Sequence, residues 1–345
     1  MRYKLLGKSG LRVSELCLGT MTFGEDWGWG ASKEVSRKIF DAFVAAGGNF
    51  IDTAINYTNG TSEKYVGEFI ANDRDHFVVA TKYSLTTRRD DPNAGGNHRK
   101  NMMQAVNASL KRLNTDYIDL YWLHMWDSTT PVEEVLRGLD DLVRAGKVLY
   151  VGISDTPAWV VAQANTLAHL RGWSRLVALQ APYSLADRAL ERDLLPMAHA
   201  FDMAVTPWGL LEGGELTGKY NKPTSEPKRS QDASEAVKAL AEVVMQVAAE
   251  VGRAPSQVAI NWVRQQPRNQ MIPILGARTE AQINDNLGCL EFELTAEQMK
   301  RLSDASPISL GFPRSFLESD HVHSLVFGDL AGKIDNPRSY SGREK

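Results

Sequence analysis

Two cysteines in 345 residues supply neither a disulfide framework nor a metal-ligand spacing. Cys17 and Cys289 therefore point to a reducing compartment, and a cytoplasmic location without a bound metal is expected. Long apolar runs are missing too. None approaches the ~18 residues a membrane span needs, and the opening Met1-Arg2-Tyr3-Lys4 is polar, unlike a secretory signal. Charge of one sign is nearly absent: a formal net charge of −3 excludes a general attraction to nucleic acid or anionic lipid. The chain also lacks a glycine fingerprint for a dinucleotide, since Gly19-Thr20-Met21-Thr22-Phe23-Gly24 does not have the G-x-G-x-x-G spacing.

What is present is an ordinary globular composition, 43% apolar and 23% charged, with a regular beat. Arg2 to Leu6 and Val13 to Leu16 flank the turn Gly7-Lys8-Ser9-Gly10 and read as a hairpin. Leu16 to Gly19 is a short strand, followed by a loop from Thr20 to Ala31 that holds Trp27 and Trp29. Helices and strands then alternate. The periodicity predicts helices over about Lys33 to Ala46, Ser62 to Ile70 and Arg99 to Leu113. Thr130-Pro131-Val132-Glu133 reads as a helix start with a threonine cap, and Thr156-Pro157 begins the next helix. Strands end at Asp52, Lys82 and His124, and further strands cover Val148 to Ser154, Leu176 to Gln180, Ala204 to Pro207 and Met271 to Gly276. The capping box Thr279 to Gln282 opens the helix after the last of them.

Eight strands that are continuously apolar rather than alternating indicate a parallel sheet covered by helices. Short connections favour a (β/α)8 TIM barrel forming a single domain over residues 1–345. An extra helix, about Pro255 to Gln266, precedes the eighth strand. Asn221 to Asp232, with Pro223 and Pro227, reads as a mobile surface loop. The tail beyond Pro307 is weakly patterned, and Phe312, Phe316, Leu317 and Phe327 suggest that it packs on something.

Three consecutive strand candidates finish in an ionisable residue, which builds a poor core and a good active site. In a barrel the strand C-termini share one mouth, so Asp52, Lys82 and His124 should be neighbours. Tyr57, in the loop after Asp52, can fold back over them. A tyrosine has a reference pKa of ~10; a lysine ammonium beside it favours the phenolate, and an aspartate compensates the lysine. With a histidine to orient a carbonyl oxygen, the set suits protonation of an oxygen while something else attacks the carbon. Each residue alone has a structural reading as cap, ion pair or core histidine; a lysine at a buried strand end is the hardest to excuse that way.

These residues carry a resemblance. The hairpin and Gly19 to Gly24, then Phe50-Ile51-Asp52-Thr53-Ala54 with Tyr57, Thr81-Lys82, and Asp119-Leu120-Tyr121-Trp122-Leu123-His124 resemble the aldo-keto reductase superfamily. Val151 to Asp155, Gln180 with Tyr183, Trp208 to Tyr220 and Gly276-Ala277-Arg278 extend the likeness over nearly the whole chain. Within the superfamily the branch of bacterial general aldo-keto reductases and potassium-channel β-subunits is the most similar.

The resemblance implies an enzyme with NADP(H), less readily NAD(H), and a small carbonyl substrate reduced to an alcohol. Tyr57 would be the general acid, Lys82 and Asp52 would set its pKa, and His124 would bind the carbonyl oxygen. Ser154, Asp155 and Gln180 would hold the nicotinamide carboxamide, against Trp208 or Tyr183 as the stacking face. Gly19, Thr20, Met21 and Asp52 would border the cofactor. Gly209, Leu211, Gly213 and Lys219 would wrap its pyrophosphate, where glycines let backbone N–H groups approach anionic oxygens. Gly276, Arg278, Gln282 and Asn286 would take the 2′-phosphate at a helix start, with Asp285 opposing it. Trp29 and Trp126, together with Trp27, Tyr83 and the 90–96 loop, would line the substrate pocket.

Departures from the family pattern concentrate in the cofactor loop. Gly209-Leu210 replaces a Ser-Pro, Glu212 stands where a small residue is usual, and Asp155 stands where many members have asparagine. A cofactor-binding regulatory subunit is the alternative function, and the packed tail leaves room for a homo-oligomer. A lyase or isomerase using Lys82 as a Schiff base is a third reading.

Overall fold

The computed structural model describes residues 1–221, 233–334 and 340. The hairpin is β1 (Tyr3–Leu5) paired antiparallel with β2 (Arg12–Ser14). It closes one end of a parallel barrel made of β3 (Cys17–Gly19), β4 (Phe50–Asp52), β5 (Val78–Tyr83), β6 (Ile118–Leu123), β7 (Val148–Ser154), β8 (Leu176–Pro182), β9 (Ala204–Trp208) and β10 (Ile274–Gly276). Strands β3 to β9 pair in chain order and β10 lies beside β3. A parallel bridge between Val205 and Met271 closes the circle, with Ile272 N–H donating to the Val205 carbonyl at 2.8 Å.

Outside lie α1 (Lys33–Ala45), α2 (Thr61–Ile70), α3 (Arg99–Leu113), α4 (Val132–Arg144), α5 (Ala158–Arg171), α6 (Leu194–Ala200), α7 (Glu235–Val251), α8 (Pro255–Arg264), α9 (Glu280–Leu287) and α10 (Ala296–Asp304). The tail adds α11 (Arg314–Leu317) and α12 (Asp320–Phe327). The Asn221 to Asp232 loop lies, apart from Asn221, outside the described residues.

The pleat sorts each strand into two faces. Phe50, Val78, Ala80, Leu120 and Trp122 form an inner core with Leu6 and Val13 of the hairpin. Ile51, Val79, Tyr121 and Leu123 join the outer core with the helices. Trp122 fills the barrel interior so closely that a Cβ on Gly152 would lie 2.4 Å from its ring. Gly152 is therefore set by packing, as overfilling costs about 1–3 kcal/mol.

Local details depart from expectation. Thr130 does not cap its helix: Pro131 occupies the cap position, as Pro157 does for α5. Thr130 instead donates to Asp127 Oδ2 at 2.8 Å, and Thr156 to the Ser154 carbonyl at 2.7 Å. Each threonine lies one residue ahead of the cap position, and its hydroxyl donates to a local acceptor instead of meeting the helix end. The tail's apolar side chains do not pack away either. Phe312 is 86% exposed, Phe316, Leu317 and Phe327 also face out, and Val322 is the buried residue of α12. The tail is held instead by Arg192 Nε donating to the Ser309 carbonyl at 3.1 Å and by half-buried Tyr340, whose hydroxyl donates to Asn269 Oδ1 at 2.9 Å. Among the described residues no helix is long and apolar enough to cross a membrane, and no group of three His, Cys, Asp or Glu could hold a metal ion.

Candidate active site

Asp52 is the last residue of β4 and Lys82 the penultimate residue of β5, adjacent in the barrel. Both face inward: Lys82 is fully buried and Asp52 nearly so. The Lys82 ammonium donates to Asp52 Oδ2, to the Thr53 carbonyl at 2.9 Å and to the Tyr57 hydroxyl at 3.2 Å. All three of its hydrogens are thus spent. Tyr57 reaches this position because the chain makes an irregular turn, with Thr58 and Asn59 left-handed at φ 44° and 55°. Thr58 is locked there by donating to the Phe23 carbonyl at 2.6 Å.

His124 follows β6, with its ring 5.9 Å from that of Tyr57 and nearly perpendicular to it at 81°. The four residues expected at the mouth are therefore together.

Their electrostatics are not simply those of a lysine-activated phenol. Burial raises the Tyr57 pKa more than Lys82 lowers it, and Asp52 adds to the rise. The lysine acts in the expected direction and is outweighed, so free Tyr57 stays protonated. Burial lowers Lys82, but Asp52 and then Tyr57 carry it above its ordinary value. A lysine held as ammonium is a poor Schiff-base nucleophile, which argues against the lyase reading.

Burial first, and Lys82 second, push His124 down to about 3. Its Nδ1 is buried without a hydrogen-bond partner. An unpaired N–H there would cost more than an unpaired lone pair, so the proton belongs on Nε2, leaving a neutral donor. Proton NMR of the His124 ring is expected to show no titration between about pH 5.5 and 8, where a free histidine has its midpoint of ~6.5. A midpoint near 6.5 for that ring would remove the neutral donor.

Opposite the four, Ser154 and Gln180 are register partners on β7 and β8, and Gln180 aligns with Thr206 of β9. The Gln180 amide donates to Asp52 Oδ1 at 3.1 Å, a cross-barrel bond invisible in sequence. Asp155 adopts φ 40°, and burial raises its carboxyl against the pull of Lys82. Thr20 is fully buried, its hydroxyl donating to the Asp52 carbonyl at 3.0 Å. That hydroxyl ties β3 to β4, while Met21 beside it is half-buried. The side of Gly19 is filled by Ile274, whose Cγ2 would lie 2.6 Å from an added Cβ.

The two candidate stacking rings separate cleanly. Tyr183 is buried outside the barrel, 5.4 Å from the Trp262 ring, with its hydroxyl 2.8 Å from Glu191 Oε1. Trp208, at the end of β9, is 41% exposed. Trp208 alone presents a face at the mouth.

The loop after β9 has a cation folded into it. Gly213 and Gly214 are left-handed at φ 62° and 94°, and a Cβ on Gly214 would lie 2.7 Å from Lys219 Nζ. The glycine makes room for the ammonium against the backbone, a concavity suited to an anion. Leu211 packs on the core, Gly209 is left-handed at φ 77°, and the Glu212 carboxylate accepts from Ser184 at 2.7 Å. That tether engages the acidic side chain with the loop after β8, and burial raises its pKa.

At the start of α9, Thr279 caps Gln282 N–H at 3.2 Å, but the Gln282 side chain accepts from Arg278 N–H at 2.8 Å. The expected box is displaced by one residue. Asn286 donates to the Gly276 carbonyl at 3.4 Å, and open space lies beside Gly276. Asp285 is drawn toward α8, accepting from Ser256 at 2.5 Å and Gln257 at 3.2 Å. Among the described residues the Arg278 guanidinium has no hydrogen-bond or ion-pair partner, so this helix start fits a phosphate.

The expected pocket lining needs revision. Tyr83 follows Lys82 and so points out, fully buried and stacked 5.3 Å from Tyr121. Trp126 is half-buried and lines a small apolar void with Val132, Leu136, Ile153 and Val160, in the packing of α4 and α5. The 90–96 loop is tied at its end to the loop after β6, Asn97 N–H donating to Asp127 Oδ2 at 2.7 Å. Trp27 does meet the site, its ring 6.4 Å from Tyr57 at 81°, and Trp29 lies 5.7 Å from Trp27.

Residues 15–307 match the Aldo/keto reductase family. Norsolorinic acid reductase of Aspergillus flavus is 38% identical, over 91% of this chain and 83% of its own length. Norsolorinic acid reductase B of Dothistroma septosporum is 39% identical, over 92% and 84%. An aryl-alcohol dehydrogenase [NADP(+)] of Phanerodontia chrysosporium is 38% identical, over 93% and 87%. The chain belongs to the aldo/keto reductase family. It is an NADP-dependent oxidoreductase that reduces carbonyl groups.

Proposed function

We propose that this enzyme reduces aromatic aldehydes or ketones with NADPH, Tyr57 delivering the proton to the carbonyl oxygen. The observation that carries the reading is the Tyr57 hydroxyl 3.2 Å from the Lys82 ammonium, itself paired with Asp52. Tyr57 binds the carbonyl oxygen as a protonated phenol, its burial keeping the proton in place until negative charge develops there. Lys82 then stabilises the forming phenolate, the one moment at which its charge and the phenol's loss coincide. His124, neutral with hydrogen on Nε2, donates a second hydrogen bond to the same oxygen. NADPH, when bound, supplies the hydride.

In this reading Ser154, Asp155 and Gln180 orient the carboxamide and Trp208 covers the ring. Gly19, Thr20, Met21 and Asp52 border the cofactor, and Gly209, Leu211, Gly213 and Lys219 take its pyrophosphate. Gly276, Arg278, Gln282 and Asn286 form the 2′-phosphate end. Preference for NADPH over NADH rests on the unpaired Arg278 and the withdrawn Asp285. Trp27 and Trp29 form the substrate wall, and the name of one relative, an aryl-alcohol dehydrogenase, favours an aromatic substrate. Trp126 has a weaker claim to this wall.

The branch of bacterial general aldo-keto reductases and channel β-subunits, a single barrel domain over the whole chain and a cytoplasmic site of action belong to the same reading. So does assembly into homo-oligomers.

The test is cofactor titration by tryptophan fluorescence followed by turnover on benzaldehydes and short aliphatic aldehydes. Arg278→Ala is expected to weaken NADPH binding by at least ~10-fold, the scale of a lost charge-assisted contact, and to leave NADH binding nearly unchanged. Equal loss for both cofactors would sink the 2′-phosphate assignment. Equal turnover of aliphatic and aromatic aldehydes would sink the substrate class, and bound cofactor without turnover would favour a regulatory subunit.

A further inference from the structure

The opposite end of the barrel carries a feature that catalysis does not use. Beside the β1–β2 hairpin is a cleft of about 210 Å³ lined by Arg2, Tyr3, Lys4, Glu15 and Arg264. Three cations face one carboxylate. Glu15, 4% exposed, already accepts from the Arg2 backbone N–H at 2.7 Å and from Arg264 Nη1 at 2.9 Å. Arg264 is further engaged by Asn261 Oδ1 at 2.7 Å and the Phe292 carbonyl at 3.3 Å. Glu15 and Arg264 thus satisfy each other, and the rest of the positive charge is left over.

Lys4 has three N–H donors and among the described residues a single acceptor, the Met271 carbonyl at 2.7 Å. The Arg2 guanidinium makes no hydrogen bond or ion pair among the described residues. Burial lowers the Lys4 pKa; Glu15 opposes this, while Arg264 and Arg2 add to it. Uncompensated charge on the half-buried Lys4 is costly and a counter-charge relieves it, while the exposed Arg2 beside it offers a second donor.

We propose that this cleft is a binding site for a phosphate-class oxyanion, held by Lys4 and the Arg2 guanidinium. Its volume exceeds that of a single water, whose share is ~30 Å³, by enough to take a tetrahedral group with its own solvent. A lysine point charge beside an arginine fork is the donor pair such a group matches. Occupancy has a structural consequence. Lys4 is fastened to Met271, whose partner in the bridge closing the barrel is Val205. An anion on Lys4 strengthens the anchor under that seam, so binding should appear as stability rather than as rate.

The experiment uses protein saturated with NADPH, so that cofactor phosphate subsites are filled, at constant ionic strength set with chloride. Inorganic phosphate and glycerol phosphate are titrated by calorimetry and thermal melting. The expected result is saturable binding with a rise in Tm, weakened about 10-fold or more in both Lys4→Met and Arg2→Ala. Arg2 is exposed and its side chain supports nothing inside, so that variant keeps the fold. Tighter binding of the monoester would identify a phosphorylated metabolite as the source, and equal binding would identify free phosphate. No saturable effect above chloride, or binding unchanged in either variant, overturns the proposal.

Discussion

Tyr57→Phe is expected to lower kcat for carbonyl reduction by about 10²–10⁴-fold, the usual contribution of a positioned general acid, while NADPH still binds. The variant removes one oxygen from a half-buried ring and leaves the ring's contacts with Trp27 and His124. The loss should therefore fall on kcat rather than on folding. Lys82 keeps Asp52 and the Thr53 carbonyl, so its ammonium is not stranded. The direction of the Tyr57 shift adds a second expectation. Because burial holds the phenol above its ordinary value, the proton is present throughout neutral pH. Reduction should then show no decline due to Tyr57 between about pH 6 and 9, below the reference phenol value of ~10. Reduction at the wild-type rate in Tyr57→Phe, measured by NADPH oxidation at saturating cofactor, would remove Tyr57 from the chemistry.

The largest effect on the folded protein is expected from Lys82→Met. Lys82 is fully buried and Asp52 3% exposed, so removing the cation leaves a carboxylate in the barrel with Gln180 as its remaining side-chain donor. Breaking a buried pair from one side costs about 3–5 kcal/mol, to be read as a shift in the urea midpoint. The double variant Asp52→Asn/Lys82→Met removes both charges and should regain a good part of that stability. Its activity should stay at the level of Lys82→Met, since nothing is left to stabilise the Tyr57 phenolate. This split between recovered stability and unrecovered rate distinguishes a charge needed for chemistry from one needed for packing. A double variant no more stable than the single would show that the Lys82 stem, not its charge, holds the barrel.

Much of the architecture was legible because strand order, helix periodicity and turn residues are local properties. The Arg99–Leu113 helix and the Val148–Ser154 strand have the bounds the pattern predicts. Asp52, Lys82 and His124 stood out because charge at the end of an apolar strand has no structural use unless it is paired. The failures share another cause. Tyr83 and Trp126 looked like pocket walls because they lie near site residues in the chain, and Tyr183 looked like a stacking face for the same reason. On a pleated strand the neighbour of an inward residue points outward, as Tyr83 does beside Lys82, whereas Trp126 and Tyr183 lie just past the ends of β6 and β8 and turn toward the void under α4 and α5 and toward Trp262.

The sequence by itself determined the barrel, its hairpin and the four residues that meet at its mouth, since these follow from hydrophobic period and strand-end chemistry. Only the tertiary structure decided how those four behave. Burial outweighs Lys82 at Tyr57 and strips the charge from His124, and desolvation depends on every atom around a group rather than on its neighbours in the chain. The same holds for Glu212 and Asp285, two carboxylates that the sequence sets against a bound phosphate. Their engagement by Ser184 and by Ser256 joins segments far apart in sequence, and no spacing could announce it.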